Sequence, residues 1–87
     1  MIIRKKVWPN AFQAILDGKK KFEIRLCDFE CNPGDVLLLW EWDPELKKYT
    51  GRKINKKVTY VAKTRDMSRY YSKKDIEKLG LQVISLE

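Results

Sequence analysis

Eighty-seven residues with 44% hydrophobic content, 19 Lys and Arg and 12 Asp and Glu make one small basic domain, residues 1–87, of net charge +7. No stretch of 18 apolar residues is available to cross a bilayer, and Met1–Lys6 has no apolar run behind its charges, so a cytoplasmic protein is expected. Histidine is absent and Cys27 and Cys31 are the only cysteines, which excludes a His-activated nucleophile and leaves a four-ligand zinc set without its usual donors.

Ile2–Trp8 is short and apolar-rich and reads as a first strand. Pro9 suits the first turn of a helix, where a missing N–H costs nothing. Phe12, Ile15 and Leu16 then recur at helical spacing on one face up to Asp17, and Gly18 fits the left-handed position past the helix end. From Lys20 to Leu26 the pattern alternates. Phe22, Ile24 and Leu26 are expected on the core side, with Lys21, Glu23 and Arg25 as a charged outer row.

Asn32-Pro33-Gly34-Asp35 is a turn into Val36–Trp42, whose unbroken apolar start predicts a central strand. Asp43–Gly51 reads as a hairpin connection, followed by a partner strand over Lys53–Lys63. Arg65–Tyr71 is a polar loop tipped by Tyr70 and Tyr71. Ser72 and Asp75 form a capping box for a short helix ending at Leu79, before Gly80. Leu81–Leu86 is the last strand. The fold class is therefore α+β: about five strands forming a curled sheet or small barrel, a main helix after the first strand and a short second helix.

The charge falls in blocks. Residues 1–27 carry +5, residues 28–50 carry −4 and residues 51–78 carry +7. Two basic blocks around an acidic one can fold into a polarised surface, and polyanions are its natural partner through counterion release. A lysine-rich solvated surface accounts for the same composition equally well. Among the aromatics, Trp40 and Tyr60 are assigned to the core, and Trp8, at the strand–helix junction, is the candidate for stacking on a base. The two cysteines read as plain thiols beside the core.

Ile15-Leu16-Asp17-Gly18-Lys19-Lys20-Lys21-Phe22-Glu23-Ile24-Arg25 resembles the signature of the ASCH family: apolar residues, Gly, any residue, Lys, two more, Glu, any residue, Arg. Asn32–Leu37 is similar to that family's Gly-Asp turn into a central strand. Trp8-Pro9, Glu41-Trp42-Asp43-Pro44 and Tyr49-Thr50-Gly51-Arg52 resemble a small bacterial and phage branch of it. The resemblance implies a PUA-like barrel with a basic cleft beside the first helix, binding RNA or a nucleotide. The binding residues it implies are Trp8, Lys20, Lys21, Glu23, Arg25, Trp42 and Arg52.

An ASCH-type hydrolase, either a ribonuclease or an amidohydrolase of acetylated cytidine, is the alternative, with Lys20 and Glu23 as the residues to carry it. The family's amidases place a Thr nucleophile where Glu23 stands, and a carboxylate there cannot serve that step. A second alternative is a protein–protein adaptor using an exposed Trp and the acidic hairpin. A monomer acting without metal or cofactor is expected.

Overall fold

The computed structural model describes residues 1–69 and 80–87. The apolar run at Val36 becomes β3 (Val36–Asp43), buried on one face through Leu37 and Leu39. β1 (Ile2–Val7) lies parallel to it on one side, with Ile2 opposite Val36 and Lys6 opposite Trp40. β4 (Lys48–Lys63) lies antiparallel on the other. β5 (Leu81–Leu86) and β2 (Phe22–Leu26) extend the sheet, giving the order β1-β3-β4-β5-β2.

β4 serves two neighbours in succession: its first part pairs with β3 and its end, from Val58, with β5. Register shifts at Trp40/Trp42 and at Val58/Tyr60 mark bulges, which bend a strand and increase its twist. The sheet curls until its two edges, β1 and β2, face one another. Among the described residues no backbone ladder joins them. The gap is bridged by a side chain instead, Arg25 Nη2 donating to the Lys6 carbonyl at 2.7 Å. The sheet is therefore a mixed five-stranded α+β arrangement, and the expected closure into a barrel is not made by strand pairing.

α1 (Pro9–Leu16) crosses the inside of this curl. Pro9 occupies the first helical turn, and Phe12 and Ile15 are buried in a core with Val7, Cys31, Leu37, Leu39, Val58, Ile84 and Leu86. Each such apolar side chain contributes about 2 kcal/mol on leaving water. Leu16, expected on the same face, lies half exposed at the helix end. Buried Gln82 ties β5 to the chain leaving β2, its Nε2 donating to the Phe29 carbonyl at 3.3 Å. Cys27 and Cys31 are free, and burial pushes the Cys31 thiol up, which keeps it protonated and inert.

Five expectations are corrected. The faces of β2 are inverted: Glu23 is only 3% exposed, while Phe22, Ile24 and Leu26 point outward, Ile24 at 53%. Tyr60 is 65% exposed on the same outer side, opposite Ser85, instead of in the core. Trp40 is half-buried on the outer face of β3, under Arg4 and Lys53. The hairpin connection is also shorter than Asp43–Gly51. Asp43 Oδ1 accepts from the amides of Glu45 and Leu46, an Asx-type turn that lets the strand resume at Lys48. Thr64–Arg69 is a 3₁₀ helix in place of the first part of the expected loop. The helix expected over Ser72–Leu79, with Tyr70 and Tyr71, lies outside the described residues.

Gly80 is where β5 begins, at φ 64°. A Cβ there would sit 2.7 Å from Thr64 Oγ1, the atom that accepts from the Leu81 amide at 2.6 Å. Strain and collision act together, so Gly80→Ala is expected to cost about 2 kcal/mol and lower Tm by about 10 °C. Calorimetry of the two proteins measures it, and an unchanged Tm would refute the assignment.

Candidate functional site

The gap between β1 and β2, next to the start of α1, forms a cleft of about 370 Å³ lined by Lys6, Val7, Trp8, Ala11, Lys20, Phe22, Glu23, Ile24 and Arg25. Each polar wall is set by local chain geometry. The end of α1 turns back on itself: the Gly18 amide donates to the Ile15 carbonyl at 3.0 Å, and those of Lys19 and Lys20 to the Ala14 carbonyl. Gly18 at φ 76° permits this reversal, which a residue with a Cβ would resist. Lys20 is thereby delivered to the mouth of the cleft, two residues before β2.

Glu23 sits at the floor. Lys20 Nζ reaches Glu23 Oε1 at 2.6 Å, and Arg25 Nε reaches Oε2 at 2.9 Å. Lys20 Nζ also donates to the Phe22 carbonyl at 2.9 Å. Two cations thus surround one buried carboxylate, so the triad carries a net positive charge. A lysine has three N–H donors and an arginine five, and these bonds leave donors on both side chains for a ligand. Trp8, 62% exposed, stands at the cleft wall. It also walls a second hollow, formed with Pro9, Asn10, Asp43, Pro44 and Glu45.

A second buried carboxylate lies on β3. Glu41 is 4% exposed, held by Arg52 Nε at 3.0 Å and Nη2 at 2.9 Å and by the Thr50 hydroxyl. Arg52 in turn donates to Gln13 Oε1 of α1 at 3.1 Å and lies over the Phe12 ring. This group fastens the helix to the β3–β4 hairpin. It explains why Glu41, Thr50 and Arg52 occur together in the sequence.

Of the residues singled out in the sequence, Trp8, Lys20, Glu23 and Arg25 converge on the cleft. Lys21 is exposed and lies outside the cleft lining. Arg52 is committed to Glu41, and Trp42 lies on the outer face of β3, against Tyr49 and beneath Lys6. Sequence reasoning missed the contribution of β1, the Lys6 carbonyl and Val7, because nothing local shows that the first strand lies across the gap from β2.

The Arg52 guanidinium, followed by the Thr50 hydroxyl, holds the Glu41 carboxyl below its ordinary 4.5. A lowered native pKa adds stability above the unfolded value, and this is lost as pH falls through the native one. Wild type should therefore exceed Glu41→Gln in urea stability at pH 7, with the margin shrinking below about pH 4.5. A margin that stays constant from pH 7 to pH 3 would exclude an ionised Glu41 as its source.

A family model described as "Domain of unknown function (DUF3850)" matches residues 4–76. The "uncharacterized 12.9 kDa protein in GpA 3'region" of Escherichia phage P2 is 35% identical over 66 residues, covering 76% of this chain and 59% of the phage protein. The chain thus spans less than two thirds of that relative's length. The crystal structure of hypothetical protein PH0355 is similar in fold, with a TM-score of 0.68 at 19% identity, over 100% of this chain and 98% of that one. The family match takes in α1, β2 and all four converging cleft residues. The chain belongs to the DUF3850 family.

Proposed function

We propose that this chain is an ASCH-type, PUA-like domain that binds RNA or a nucleotide in the cleft between β1 and β2. The observation that carries the reading is the convergence of Trp8, Lys20, Glu23 and Arg25 on one concave site. Lys20 and Arg25 offer spare donors to a phosphate. Glu23 keeps lone pairs on both oxygens for an amino group on a base edge. The exposed ring of Trp8 supplies a stacking surface, worth about 1–3 kcal/mol per base.

The same geometry disfavours the hydrolase alternative in its Thr-dependent form. The position that would hold the nucleophile is a carboxylate with each oxygen already taking a bond from a cation. It brings negative charge to the place where an oxyanion would have to form. Its evident work is to fix Lys20 and Arg25 at defined places.

Titration of a short single-stranded RNA and of the four nucleoside monophosphates, at several salt concentrations, tests the proposal. Trp8→Ala should weaken binding about tenfold or more with the salt dependence unchanged. Lys20→Ala should weaken it and lower the salt slope by about one unit. Absence of binding by wild type at millimolar nucleotide and micromolar RNA would sink the reading. Equal affinities for the three proteins would remove Trp8 and Lys20 from the site.

A further inference from the structure

The outer face of the β1-β3-β4 half of the sheet carries a concentration of basic and aromatic residues. Strand pairing sets them side by side: Arg4 and Lys6 on β1, Leu38, Trp40 and Trp42 on β3, and Tyr49, Lys53, Asn55 and Lys57 on β4. None of these is acidic. Arg4 and Lys53 each lie 4.4 Å from the centre of the Trp40 ring, and Lys6 lies 4.4 Å from that of Trp42. Tyr49 packs edge-on against both indoles, with centroids at 5.5 and 5.0 Å. Among the described residues, none of these cations enters an ion pair with a carboxylate.

A cation over an aromatic face keeps its charge and most of its N–H donors while its stem is held in place, so it loses less freedom when an anion arrives. The indoles here are covered by the protein's own cations, which makes them supports for charge and not open stacking platforms for bases. Lys6 belongs to both regions. Its side chain lies over Trp42, and its carbonyl accepts from Arg25 at the cleft.

We propose that this face is a phosphate track for single-stranded nucleic acid, carrying the strand away from a nucleotide seated in the cleft. It rests on the cleft-binding reading for its starting point and extends it to a second surface. A single strand fits better than a duplex because a base can enter a cleft of about 370 Å³ only when it is out of its stack. The chain's basic surplus is consistent with a polyanion longer than one nucleotide.

The test compares a fluorescent 12-nucleotide single-stranded RNA with a trinucleotide of the same 5′ sequence. The proteins are wild type, Arg4→Gln/Lys53→Gln, Lys53→Gln/Lys57→Gln and, as a control away from this face, Lys63→Gln/Arg65→Gln. Circular dichroism first establishes that each is folded, and glutamine retains enough stem to cover the indoles. Each track pair should lower the salt slope for the 12-mer by about 1.4 units and leave trinucleotide affinity within about twofold of wild type. The control pair should leave the slope unchanged.

A wild-type slope in both track pairs overturns the track, as does an equal loss on the trinucleotide or an equal loss in the control. Binding of a 12-base-pair duplex as tight as that of the single strand also overturns it. Failure of the cleft reading is distinguishable: the trinucleotide and the monophosphates would then not bind at all, while the 12-mer would still lose slope in the track variants.

Discussion

Taking a carboxylate out of water costs several kcal/mol, and this chain does so with Glu23 at the edge of its sheet. The cost is met by Lys20 from the end of α1 and Arg25 from β2, and Arg25 carries the connection across to the carbonyl of Lys6. One buried charge thereby sets three things: which face of β2 turns inward, how near β1 and β2 approach, and where the cleft opens. Removing either cation would leave the buried carboxylate with a single cationic partner and lower the stability of the fold. The group that would contact a ligand is thus the same group that holds the edges of the fold in register.

Glu41 repeats the device one strand further in. It too is a buried carboxylate under a bidentate cation, with Arg52 bonded to both Glu41 and Gln13. The two groups divide the labour around α1. Arg52 clamps the helix to the hairpin, and the Gly18 reversal brings Lys20 to the free side. A cleft bordered by a fixed helix on one side and a sheet edge on the other is preorganised, so little ordering remains to oppose a ligand.

The local elements were legible wherever one physical signal dominated. Pro9, the spacing of Phe12 and Ile15, and Gly18 define α1, and Leu81–Leu86 is a strand as expected. On β2 the alternation was legible but its sense was not. A period of two says that alternate residues share a face, and an apolar row is assigned inward by default. Here Glu23 overrides that default, because Lys20, three residues before it, and Arg25, two after it, pair its charge, and Arg25 reaches on to the Lys6 carbonyl of β1. The cost is an apolar outer row, with Phe22, Ile24 and Leu26 beside Leu81 and Val83. Trp40 and Tyr60 were misplaced for a related reason: bulges and long-range pairing decide the face of each, and neither is visible in a window of a few residues. In the site, the signature residues Lys20, Glu23 and Arg25 were legible as a group, whereas the contribution of Lys6 was not.

The blocks of charge along the chain acquire a spatial meaning from the strand order. The first basic block supplies β1 and the second supplies β4 from Gly51 onward, while the acidic block supplies β3, which lies between them. On β3 the carboxylate of Glu41 points inward to Arg52, and the outward positions are Leu38, Trp40 and Trp42. The acidic strand therefore shows no acid on its outer face. Cations from segments about 50 residues apart meet over indoles, without the carboxylates that would otherwise neutralise them. A sheet of sequential hairpins would have set β1 beside β2 and separated these cations. The parallel pairing of β1 with β3 is what turns a chain of alternating charge blocks into a face of one sign.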